Sequence, residues 1–76
     1  MPRRYSAAEV AALLERLGLV RTRQRGSHVR YSGTFRGLQR HVTLVARERQ
    51  IPAKTLRSIA GQLGLGADEL KQLLDR

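Results

Sequence analysis

Arg21-Thr-Arg-Gln-Arg-Gly-Ser-His-Val-Arg30 sets arginines at alternate positions and runs them into a Gly-Ser-His turn. In an extended chain successive side chains point to opposite faces. A period of two therefore predicts Arg21, Arg23 and Arg25 on one side of a strand, with Val20, Thr22 and Gln24 on the other. A basic ridge then leads to one imidazole, His28. From Arg16 to Arg47 there are eight arginines and no Asp or Glu, so sequence neighbours do not neutralise this charge. An anionic partner is expected.

Outward from that stretch, Leu19 to Gln24 reads as a first strand, Gly26 and Ser27 as a tight turn, and His28 to Ser32 as a second strand. Gly33-Thr-Phe-Arg-Gly37 reads as a glycine-flanked connection, and Leu38 to Ala46 as a third strand. Connections this short predict an antiparallel meander. If Val29, Tyr31, Val42 and Leu44 point to a core, His28, Arg30, Ser32, His41 and Thr43 face the other way. The connection permits more than one register, so only a common side is expected for His28 and His41.

Helices bracket the strands. Ser6-Ala-Ala-Glu9 has the form of a capping box, Val10, Leu13, Leu14 and Leu17 follow at helical spacing, and Gly18 is a left-handed stop. Residues 1 to 5 read as a frayed arm. Pro52 suits the first turn of a second helix, in which Leu56, Ile59, Ala60 and Leu63 form the apolar stripe and Gly64 the end. Gly66-Ala-Asp-Glu69 opens a short third helix with Leu70, Leu73 and Leu74 inward. The expected fold is a single α+β domain over residues 1–76, ordered α-β-β-β-α-α, with a three-stranded antiparallel sheet and helices on one face. The other sheet face is left for a site.

Composition narrows the chemistry. A net charge of +9, with thirteen arginines among the fifteen basic residues, favours nucleic acid, because guanidinium forks bind phosphate bidentately. The absence of cysteine removes disulfides, thiolate catalysis and Cys-based zinc sites. Two histidines without a nearby acidic grouping offer no metal set, and nothing calls for a cofactor. No apolar run approaches the ~18 residues of a membrane span, so a soluble, unprocessed cytoplasmic protein is expected.

Leu-Gly-Leu-Val-Arg21 before Arg-Gly-Ser-His28, and Thr55-Leu-Arg-Ser-Ile-Ala60 before Leu-Gly-Leu65, resemble the HicA toxins, also called YcfA-like proteins, over nearly the whole chain. The resemblance implies a fold similar to the double-stranded RNA-binding domain, cleavage of RNA, and silencing by a HicB-type antitoxin. It also implies that the histidine of the Gly-Ser-His motif, His28 here, is required for cleavage. The chain departs from the family in reading Val45-Ala-Arg-Glu48, without the usual Pro and second His, and in having Lys54 where Gly is common.

The chemistry can be argued without the family. RNA carries its own nucleophile, the 2′-hydroxyl. A ribonuclease then needs a base for that proton, cations for the crowded phosphate and a donor for the leaving oxygen, and an imidazole can serve near neutral pH. His28 is the expected catalytic residue of a metal-independent endoribonuclease, and the resemblance implies mRNA as its substrate. Arg21, Arg23, Arg25, Gly26, Ser27, Arg30, Arg40 and His41 are the expected nucleic-acid contacts, and His41 is a candidate to complement His28. Two alternatives stand beside it. One is a double-stranded RNA-binding module without catalysis. The other is a helix-turn-helix DNA-binding protein using Thr55 to Leu74, although a recognition helix opening with Asp68-Glu69 would repel phosphates.

Overall fold

The computed structural model describes residues 3–76. Helix α1 spans Ala7–Arg16, followed by strands β1 (Val20–Arg25), β2 (His28–Phe35) and β3 (Leu38–Val45), then helices α2 (Ala53–Gln62) and α3 (Ala67–Leu74). The strands form one antiparallel sheet in the order β1-β2-β3. The α+β architecture and its α-β-β-β-α-α order are those expected.

Local signals in the sequence start α1 and end α1 and α2. Ser6 accepts from the Glu9 N–H at 3.1 Å and Glu9 reaches back to the Ser6 N–H at 3.0 Å, completing the capping box. Gly18 (φ 96°) and Gly64 (φ 75°) turn the chain away after α1 and α2. Pro52 sits one position earlier than expected, at the N-cap of α2. The helical leucines meet one sheet face, where Val10, Leu14, Leu19, Val42, Leu63 and Leu70 are fully buried around Val29, Tyr31 and Leu44.

Four expectations give way to longer-range contacts. The expected frayed arm covers Met1 and Pro2, which lie outside the described residues, but Tyr5 within it is a core residue. Its carbonyl accepts from Ile51 N–H at 2.7 Å and its hydroxyl donates to Asp75 at 2.8 Å. Strand β2 does not stop at Ser32 but runs on to Phe35. Gly33 is there because β2 crosses the α1–β1 corner: a Cβ would come within 2.8 Å of the Gly18 carbonyl oxygen and 3.0 Å of Leu19 Cα. The connection shrinks to Arg36 and Gly37, both left-handed (φ 53° and 81°), the signature of a type I′ hairpin turn. The Arg36 guanidinium pairs with Glu69 of α3 at 2.9 Å. Finally, β1 is not regular: Arg21 pairs with Tyr31 and Arg23 with Arg30, which leaves Thr22 as an extra residue in a β-bulge.

Candidate nucleic-acid interface

The Gly-Ser-His turn is a two-residue hairpin loop between paired Arg25 and His28. Gly26 takes φ 59° while Ser27 keeps a negative φ, as in a type II′ turn, which needs glycine first. The third strand pins the loop from the side, since the Ala46 N–H donates to the Ser27 carbonyl at 2.7 Å. His28 is thus held at the first position of β2, exposed, on the face turned away from the helices.

The bulge decides which arginines join it. Paired residues in an antiparallel ladder share a face, so Arg23 stands with Arg30, and Arg25 with His28, on the open face. Together with Thr43 these side chains line an open cleft of about 290 Å³. No carboxylate lines it. Thr43, opposite Arg30, was placed outward by its alternation with Val42 and Leu44 but was not among the expected contacts.

Two expected contacts lie elsewhere. Arg21 is opposite the buried Tyr31, on the helix side, where its guanidinium donates to Gln24 at 3.4 Å. The expected grouping of Arg21 with Arg23 and Arg25 fails because the extra residue at Thr22 breaks the period of two. Val20 and Thr22 accordingly face outward, with Val20 opposite Ser32. Arg21 lines a larger recess of about 470 Å³ with Glu15, Leu19, Val20 and Tyr31, but that recess holds no imidazole. Arg40 is opposite Gly33, also on the helix side. Its Nε donates to the Phe35 carbonyl at 3.1 Å and its guanidinium lies against Gly64. That puts a cation just past the end of α2, which has no basic residue in its own last turn.

His41 is on the open face but not beside His28. His28 pairs with Val45 and His41 with Ser32, a separation of four residues, or about 13 Å along the strands. The two imidazoles cannot serve one phosphate, which removes His41 as the acid–base complement of His28. Instead, His41 Nδ1 lies 2.7 Å from Ser32 Oγ, which lies 3.1 Å from Thr22 Oγ1.

Leu70 and Leu74 of α3 are buried, and Glu69 in its first turn is engaged by Arg36. Among the described residues no helix is long and apolar enough to cross a membrane, and no three His, Asp or Glu side chains converge.

The sequence profile of the family described as "HicA toxin of bacterial toxin-antitoxin" matches residues 7–65, from the first residue of α1 to just beyond α2. No curated protein matches the chain. With 59 of its 76 residues inside that match, the His28 hairpin among them, the chain belongs to the HicA family of toxins of bacterial toxin–antitoxin systems.

Proposed function

We propose that this toxin is a metal-independent endoribonuclease that grips the RNA backbone with Arg23, Arg25 and Arg30 and cleaves it with His28. The observation that carries this reading is the exposed imidazole beside three guanidiniums in a cleft without a carboxylate. His28 accepts the proton of a ribose 2′-hydroxyl; O2′ attacks the adjacent phosphorus, the bond to the 5′-oxygen breaks, and that oxygen takes a proton from water in the open cleft as it leaves. The products are a 2′,3′-cyclic phosphate and a 5′-hydroxyl. Guanidiniums stabilise the charge that builds on the phosphorane, and the Gly26-Ser27 loop, free of a Cβ at its first position, lets backbone approach the phosphate.

A partner that silences such a site must cover the same cations. An acidic HicB-type antitoxin that occludes His28 and pairs with Arg23, Arg25 and Arg30 fits that requirement, and co-purification with loss of cleavage tests it. The test of catalysis is RNA incubated with the protein in EDTA, wild type beside His28→Ala. Wild type should shorten the RNA and leave cyclic phosphate ends, and His28→Ala should slow this by roughly 10² to 10⁴, the usual worth of a positioned acid–base group. RNA left intact by both proteins, yet bound by both, would instead make this an RNA-binding module. One feature favours that second reading: among the described residues no side chain hydrogen-bonds His28 to orient it.

A further inference from the structure

The open face carries a second imidazole whose hydrogen bonding is directional. Thr22 Oγ1 lies 3.4 Å from the Arg30 carbonyl oxygen, which can only accept, and 3.1 Å from Ser32 Oγ; when Thr22 donates to the carbonyl it accepts from Ser32. In that arrangement the one proton of Ser32 goes to Thr22, and Ser32 accepts at 2.7 Å from His41 Nδ1–H. Ser32 is 8 % exposed, the one buried polar side chain among the described residues, while Thr22 at the other end of its bond is exposed. His41 itself is exposed. In that arrangement the proton of a neutral ring sits at Nδ1, and Nε2 is a lone-pair acceptor. The neighbouring charged groups on that face, Arg30 and Arg23, can only donate.

Guanidiniums recognise phosphate, which RNA and DNA share. The 2′-hydroxyl is the donor that DNA lacks. We propose that His41, fixed in its Nδ1–H tautomer by the Ser32 and Thr22 hydroxyls, accepts a hydrogen bond from a ribose 2′-hydroxyl and so makes this face select RNA over DNA. The ribose concerned is not the one that reacts, since His28 lies about 13 Å away along the strands. The inference rests on the reading of this face as the RNA surface, and it does not require His28 to be catalytic.

The test is fluorescence anisotropy with a labelled RNA oligonucleotide and DNA of the same sequence. The protein carries His28→Ala to keep RNA intact, and the pH is about 8. Replacing His41 with Ala in that protein should lower RNA affinity by roughly 2- to 10-fold, the worth of one neutral hydrogen bond, and leave DNA affinity unchanged. Ser32→Ala keeps the ring and removes its anchor. It should reduce the RNA-to-DNA ratio by less, and nitrogen-15 spectra should show the His41 proton leaving Nδ1. Equal losses for RNA and DNA, an unaltered ratio in both variants, or a His41 proton on Nε2 in the parent protein would each overturn the proposal. Absence of cleavage by wild type with the RNA preference intact would sink the catalytic assignment alone. Failure to bind either nucleic acid would sink both.

Discussion

The bulge at Thr22 predicts that neighbouring arginines differ in how they contribute to binding. Arg23, Arg25 and Arg30 surround His28, whereas Arg21, two residues before Arg23, faces the helices. Each phosphate contact on a single strand contributes about 0.7 to the slope of log affinity against log salt concentration. Three contacts therefore weaken binding by about 18-fold between about 50 and 200 mM salt, and two by only about 7-fold. Arg25→Gln should lower both the affinity and the slope by one contact's worth, while Arg21→Gln should leave the slope where it was. Titration of labelled RNA at several salt concentrations, in the His28→Ala protein, reads the difference directly. If Arg21→Gln flattens the slope as much as Arg25→Gln, the bulge does not separate these side chains and the face assignment is wrong.

Two further predictions concern the scaffold. Gly33→Ala forces a Cβ against the backbone of Gly18 and Leu19, not against a flexible side chain, and should destabilise by about 1–3 kcal/mol, lowering the melting temperature by about 5 °C or more; an unchanged melt would mean that β2 does not press on that corner. The Glu9 carboxyl is held below its usual range by the backbone N–H of Ser6 first, and by Arg3. A depressed folded value means that its stabilisation is present above the unfolded pKa and is lost as pH falls through the folded one. Wild type should therefore out-melt Glu9→Gln at neutral pH and lose that advantage in acid; a gap that persists at low pH would contradict the assignment.

What could be read from the sequence was whatever a few adjacent residues decide. Ser6 and Glu9 meet within one helical turn, Gly26 sets its turn by its own φ, and the leucine stripes need only the helical period. The same logic misreads Gly33, which looks like punctuation but is a strand residue kept small by a corner fourteen positions earlier. It also misses Tyr5, whose partners are Ile51 and Asp75. Arg40 resembles the other arginines in sequence, and only its register with Gly33 sends it to the end of α2 instead of the open face.

Thr22 shows why this information is not local. A strand of strict alternation starting from Val20 on the open face would send Arg21, Arg23 and Arg25 all to the helices, where their charges would crowd Tyr31 and the buried leucines. One extra residue lets β1 change phase, so that Arg21 stays on the helix side while Arg23 and Arg25 emerge beside His28. The residue spent on that change is not idle, because a threonine at the bulge points its hydroxyl at Ser32 and, through it, orders His41. A regular strand would need a separate device for each result. The cationic cleft and the anchored imidazole thus share a single cause, and that cause exists only once β1 has paired with β2.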